Sequence, residues 1–112
     1  MSKPKKYKFE FSDGTNHDAT LTEISQSQEI CQAYGWSIFV ALAGLTTQDS
    51  TWTIEVSNDD INFYNYKVNS VGIAIIDAYD DIHLDWTYIR INYNAQTESS
   101  GTVDFEITLK QS

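Results

Sequence analysis

Hydrophobic and polar residues alternate along much of this chain. Tyr7, Phe9 and Phe11 share one phase, with Lys8 and Glu10 in the other. Trp36, Ile38, Val40 and Leu42 form a second apolar set, and Trp52, Ile54 and Val56 form a third, opposite Thr53 and Glu55. The clearest set is Val103, Phe105, Ile107 and Leu109, opposite Asp104, Glu106 and Thr108. Successive side chains of an extended backbone point to opposite faces, so each set predicts a half-buried strand. Between Leu84 and Tyr93 the phase changes: Leu84, Trp86 and Tyr88 fall in one phase, and Ile89, Ile91 and Tyr93 in the other. That requires either a bulge near Tyr88 or cover on both faces. Tyr64, Tyr66 and Val68 alternate with Asn65 and Lys67, and Ile73 to Ile76 is a short apolar run. Asp13-Gly14, Ser57-Asn58-Asp59-Asp60 and Ser99-Ser100-Gly101 read as turns between these segments.

The pattern predicts eight strands, at about 5–11, 17–24, 34–43, 51–57, 62–68, 71–76, 84–94 and 102–110. Only short stretches around 26–33 and 77–83 leave room for a helix. Short strands with frequent turns predict an all-β chain, a single-domain antiparallel β-sandwich of jelly-roll or immunoglobulin-like type. Composition agrees: Val, Ile, Thr, Tyr, Phe and Trp make up 43 of the 112 residues, enough to favour strands before any pattern is read. There is one proline, Pro4, and no internal repeat or linker composition, so one domain is expected. No apolar run approaches the roughly 20 residues of a membrane-spanning helix. The basic start has no apolar stretch behind it, so no secretory signal is expected.

Charge divides the chain. Four of the seven basic residues, Lys3, Lys5, Lys6 and Lys8, lie in the first eight positions, which hold none of the sixteen acidic ones. Residues 1–8 therefore carry +4 and residues 9–112 carry −13, which predicts a basic N-terminal arm ahead of an acidic sandwich. So acidic a body repels phosphate, and nucleic-acid binding through the domain surface is not expected. Cys31 is the only cysteine, so no intrachain disulfide can form, in keeping with assembly in a reducing cytoplasm.

Little in the sequence points to chemistry. Asn58, Asp60 and Asn62 copy the first three ligand spacings of a calcium loop, but Phe63 stands where that loop needs glycine and Asn69 where it needs glutamate. Asx side chains capping a tight hairpin account for the segment without a metal. Asp77, Asp80, Asp81 and Asp85, with His83 among them, form a loose acidic cluster that matches no metal loop and reads as a solvated surface. Zinc, a phosphate loop, a nucleophile elbow and a paired nucleophile and base are all missing from the motifs, and His17 and His83 stand without supporting context. No enzyme, cofactor or bound metal is expected. The aromatic residues are more informative. Trp36, Trp52 and Trp86 fall in phase with apolar neighbours and read as core. Tyrosines interleaved with asparagine, in Asn62-Phe63-Tyr64-Asn65-Tyr66 and Asn92-Tyr93-Asn94, suit a protein interface or a sugar-stacking platform equally well.

The stretch Ser50-Thr51-Trp52-Thr53-Ile54-Glu55-Val56-Ser57-Asn58-Asp59-Asp60-Ile61-Asn62-Phe63-Tyr64 resembles the strand–turn–strand motif of a family of small phage virion proteins, in which a serine-asparagine-aspartate-glycine turn precedes a tryptophan. Trp86-Thr87-Tyr88-Ile89-Arg90-Ile91-Asn92-Tyr93 and Ser100-Gly101-Thr102-Val103-Asp104-Phe105-Glu106-Ile107-Thr108-Leu109-Lys110 are similar to the family's later strands, so that the likeness covers roughly residues 34–110. Asp60 replaces the usual glycine and Phe63 the usual tryptophan, keeping a polar turn followed by a buried aromatic. Such sandwiches also resemble discoidin-like and carbohydrate-binding modules.

The resemblance implies a non-enzymatic structural protein, a capsid-decoration, head-fibre or tail-associated component of a phage virion assembled in the host cytoplasm. It would act through contacts with its own copies and with other virion proteins, with no membrane partner. Lys3, Lys5, Lys6, Tyr64, Tyr66 and Tyr93 are the expected interface residues. The alternative is a carbohydrate-binding β-sandwich module that stacks sugars on Trp and Tyr.

Overall fold

The alternation at residues 102–110 is realised in the computed structural model, which describes residues 5–30, 35–70, 76–79 and 86–110. Val103, Phe105, Ile107 and Leu109 are buried, while Asp104, Glu106 and Thr108 on the other face are partly open to solvent. The strands in chain order are β1 (Lys5–Lys8), β2 (His17–Asp18), β3 (Glu23–Ile24), β4 (Gln28–Glu29), β5 (Gly35–Ala43), β6 (Thr51–Ser57), β7 (Tyr64–Ser70), β8 (Ile76–Tyr79), β9 (Tyr88–Asn94) and β10 (Thr102–Lys110). They form two antiparallel sheets. One has the order β1-β10-β5-β8 with β2 also on β10, and the other β3-β9-β6-β7 with β4 also on β9. The core lies between them, and its largest members are Trp36 and Ile38 from β5, Trp52 and Ile54 from β6, Ile89, Ile91 and Tyr93 from β9, and Phe105 and Ile107 from β10. The Cα radius of gyration is 13.7 Å, close to the roughly 13 Å of a 100-residue globule.

The chain is an all-β, single-domain antiparallel sandwich, and its connectivity separates the two predicted types. Apart from the short steps β1 to β2 and β3 to β4, every connection except the β6–β7 hairpin passes from one sheet to the other. Counting β2 with β1 and β4 with β3 leaves eight strand positions, ordered 1-8-3-6 in one sheet and 2-7-4-5 in the other. That is the double Greek key of a jelly roll, whereas an immunoglobulin sandwich keeps more sequential hairpins within each sheet.

Several boundaries differ from the sequence pattern. The predicted 17–24 strand is cut into β2 and β3, which lie in different sheets. Asp18 makes the break: its carboxylate accepts the Thr20 N–H (2.9 Å) and hydroxyl (2.8 Å), and its carbonyl accepts the Leu21 N–H (3.1 Å), which turns the chain between sheets. Within 26–33, Gln28–Glu29 is strand rather than helix, paired with Ile89 and Tyr88 of β9. Within 77–83, residues 77–79 belong to β8. Residues 71–75 of the strand predicted at 71–76, the acidic positions Asp80, Asp81 and Asp85, His83, Leu84 and Cys31 lie outside the described residues.

No bulge falls near Tyr88. β9 pairs with β6 in unbroken register from Thr51↔Asn94 to Ser57↔Tyr88, and the phase changes because Trp86 precedes the strand. The irregularity is on the other side of β6. Ile54 pairs with Lys67 but Glu55 with Asn65, so that Tyr66 is an extra residue in β7. The bulge rotates the strand: Tyr66 turns inward against Trp36, with ring centroids 5.8 Å apart, and Asn69 is buried while Val68 faces out, 59% exposed.

The basic segment is also part of the sheet. Lys5–Lys8 pairs with Leu109 to Glu106 of β10, and the Lys8 ammonium donates to Asp104 Oδ2 at 2.9 Å. The expected division between an arm at 1–8 and a sandwich from 9 therefore does not separate residues 5–8 from the domain. Tyr7, in phase with the core, stays 36% exposed at this edge, while Phe9 and Phe11 are buried.

Candidate functional site

The turn between β6 and β7 is tied by side chains. Ser57 Oγ accepts the N–H groups of Asp59 (3.2 Å) and Asp60 (3.0 Å) and donates to Asp59 Oδ1 (2.9 Å). Asp59 Oδ1 also accepts the N–H groups of Ile61 (2.9 Å) and Asn62 (2.8 Å), and its Oδ2 accepts from Asn62 Nδ2 (2.7 Å). The N–H donors of Asn62 and Ile61 hold the Asp59 carboxyl well below the usual carboxylate range. This is the Asx-capped hairpin that the spacing predicts. It sets Asn58, Asp59 and Asn62 along one rim.

Beside that rim stand two aromatic rings. Tyr64 opens β7 and Trp86 lies just before β9; their centroids are 5.8 Å apart and their planes are inclined by 42°. With Asn58, Asp59 and Asn62 they line a cleft of about 170 Å³. Tyr64 is 59% exposed, and Trp86 is half-buried, packed against the core at its margin and not enclosed within it as its phase predicts. Trp36 and Trp52 are core, each fully buried. Neither the Asn58 amide nor the Tyr64 hydroxyl makes a hydrogen bond among the described residues, so polar groups as well as ring faces remain open to a ligand.

The other predicted interface residues are dispersed. Tyr93 is not available: it is fully buried, its hydroxyl donates to the Ala19 carbonyl at 2.8 Å, and its ring packs near Phe105 and edge-on to His17. Burial holds its hydroxyl above the ordinary tyrosine value. Tyr66 is half-buried on the core side of the β7 bulge, which leaves Tyr64 as the open member of the three. Lys5 and Lys6 are exposed on β1, and Lys3 lies outside the described residues. Phe63, expected as a buried aromatic, is half-buried, and the Arg90 guanidinium lies over its ring at 3.6 Å from the centroid. Arg90 also bonds Glu55 Oε1 at 2.7 Å, and Asn92 donates to Glu55 Oε2 at 3.0 Å, which pairs the buried Glu55 across the β6–β9 ladder.

One constellation escaped the sequence reading. Asp13, His17 and Glu23 bring ligand-type atoms within 4.8 Å of one another. Their hydrogen bonds account for the cluster. His17 Nδ1 meets Asp13 Oδ1 at 2.8 Å and its Nε2 meets the Leu21 carbonyl oxygen at 2.7 Å, so both ring nitrogens face acceptors of the protein itself and not an open coordination position. Glu23 is bound by the Ser12 N–H and hydroxyl. The imidazole is fully buried and stacks on Phe11, with centroids 4.2 Å apart. The group locks the Phe11–Glu23 loop onto the end of the sandwich. A second cleft of about 200 Å³ lies between β1 and the 26–28 segment, lined by Tyr7, Phe9, Glu10 and Gln26 among others, without a facing aromatic pair.

No protein-family model matches the chain, and neither a curated protein nor a solved structure gives a significant match. The class is therefore defined by the fold and the surface: a two-sheet jelly-roll sandwich with an aromatic cleft at the β6–β7 turn.

Proposed function

We propose that the chain is a non-enzymatic structural component of a phage virion, assembled in the host cytoplasm and acting through contacts with its own copies and other virion proteins. The residue pattern of 50–64, 86–93 and 100–110 supports this reading. Jelly rolls serve as viral capsid and lectin domains, an analogy at the level of fold. The observation that carries the proposal is the outer edge of β7. Among the described residues no strand pairs with its far side, and Tyr64 and Val68, each 59% exposed, lie along it just after Ile61, 79% exposed. An open edge with apolar side chains is a ready template for another strand. The acidic remainder keeps such particles soluble and disfavours nucleic acid as the partner.

The test is molar mass by light scattering over a concentration series. The full chain is expected to self-associate, and Val68→Lys, which places charge on the edge, should leave it monomeric with an unchanged near-ultraviolet circular dichroism spectrum. A wild-type chain that stays monomeric throughout, or a Val68→Lys variant that associates equally well, contradicts an edge-mediated assembly.

A further inference from the structure

We propose that the cleft beside the Tyr64–Trp86 ring pair is a binding site for a single neutral sugar residue, such as the exposed unit of a surface glycan. This goes beyond the structural role above and does not depend on it. Three features of the cleft carry the inference. The first is the pair of rings in contact with each other at an inclination of 42°, which forms one continuous apolar platform of the kind that covers the C–H face of a pyranose. The second is the rim. Asn58 and Asn62 present side-chain amides on the flank of those rings, with Asn62 held in place by Asp59, a mixture of donors and acceptors suited to hydroxyl groups that both give and take hydrogen bonds. The third is preorganisation. Asp59 and Asn62 are fixed by four hydrogen bonds within the turn, from the Ser57 hydroxyl, the Ile61 and Asn62 N–H groups and the Asn62 side chain, so that the rim loses little freedom when a ligand arrives.

Size and charge narrow the ligand class. The cleft holds about 170 Å³, below the roughly 300–1,000 Å³ of pockets that enclose drug-sized molecules. It fits one ring, not an oligosaccharide or a cofactor. A cation held by the two aromatic faces is the chemical competitor. It would use the ring faces and the charge of Asp59 but leave the Asn58 and Asn62 amides without a role, and the choline comparison separates it from a sugar. An anionic sugar is disfavoured by the same carboxylate and by the acidity of the chain.

Binding by so small a site is expected in the millimolar range, useful where many copies act together. The probes are the methyl glycosides of glucose, galactose, mannose and N-acetylglucosamine, each titrated into the full chain, with choline chloride as the cationic comparison. Backbone amide resonances report the site directly. Acrylamide quenching reports Trp86, because Trp36 and Trp52 are fully buried. At least one glycoside should shift the amides of Asn58, Asn62, Tyr64 and Trp86 saturably and protect Trp86 from the quencher. Trp86→Ala and Tyr64→Ala should each weaken that binding by about tenfold or more. Asn58→Ala, an exposed rim change that leaves packing intact, should weaken it with the amide spectrum otherwise preserved. Absence of saturable shifts with all four glycosides overturns the proposal, as does choline binding without sugar binding, or sugar binding unchanged in Asn58→Ala and Tyr64→Ala. Val68→Lys should leave glycoside binding intact, so loss of assembly and loss of sugar binding are separable.

Discussion

Asp60 holds a backbone conformation that L-residues rarely adopt, with φ at 61°. Glycine would hold this left-handed geometry at no steric cost, because it has no Cβ. Aspartate tolerates it better than most residues, and the cost here is limited because the neighbouring Asp59 and Ser57 hold the turn. Asp60→Gly should therefore leave stability unchanged or raise it by up to about 1 kcal/mol, and Asp60→Val should lower it, as read by urea unfolding. Gly101 shows the opposite requirement. Its φ is 100°, and a Cβ added there would sit 2.6 Å from the Ala43 carbonyl oxygen and 2.8 Å from the Gly44 carbonyl carbon. Backbone cannot step aside as a side chain would. Gly101→Ala is expected to cost more than about 1 kcal/mol, and an unchanged urea midpoint would contradict the geometry.

At the scale of elements, the two loops at one end of the sandwich are joined through one carboxylate. Glu98, between β9 and β10, accepts the Thr46 N–H (2.8 Å) and hydroxyl (2.6 Å) on Oε2 and the Gln48 N–H (3.0 Å) on Oε1, all from the β5–β6 connection. Burial pushes this carboxyl up, but the Thr46 hydroxyl and the N–H donors of Thr46, Gln48 and Thr47 outweigh it and hold it well below the usual range. In the unfolded chain the same group takes up its proton near its ordinary value of 4.5. Below about pH 5 the unfolded state thus binds more protons than the folded one, so stability falls as the pH falls and is complete above that range. Asp59, lowered by its own turn, shares in the loss. Replacing Glu98 by Gln should lower the melting temperature at neutral pH and make its decline between about pH 5 and pH 2 shallower than in the wild type. Parallel pH profiles would show that Glu98 does not supply that dependence.

For the whole molecule, the distribution of charge acquires a different meaning in three dimensions. The first eight residues look like a basic arm in the sequence, yet Lys5–Lys8 is a strand that covers β10, and its Lys8 sits against Asp104. The hydrogen bond from Lys8 to Asp104 raises the lysine's proton affinity above the ordinary value, as expected of a cation on an acidic body. Deleting residues 1–8 removes a strand, exposes a length of β10 edge that β1 covers, and takes away four of the chain's seven basic residues. The truncated chain should melt at a lower temperature than the full chain and aggregate more readily. A truncated chain with unchanged melting temperature and solubility would mean that β1 contributes nothing beyond a solvated terminus.

The alternating pattern was enough to establish the long strands. β5, β6 and β10 appear where Trp36 to Leu42, Trp52 to Val56 and Val103 to Leu109 alternate, because a period of two admits only an extended backbone with one buried face. The Asx turn at residues 57–62 was equally legible, since the side chains that cap it lie within a few positions of the N–H groups they accept. Pattern could not say what covers a face. Trp86 and Tyr93 carry similar aromatic signals seven positions apart, but Tyr93 lies between the sheets against Phe105 while Trp86 precedes its strand and meets Tyr64 at the surface. Nor could it place Lys5–Lys8 on β10 or bring Asp13 and His17 beneath Leu21. Sheet order, the β7 bulge and the cleft depend on pairings between residues far apart in the chain. Such pairings are selected by the packing of the whole core, and tertiary structure alone decides them.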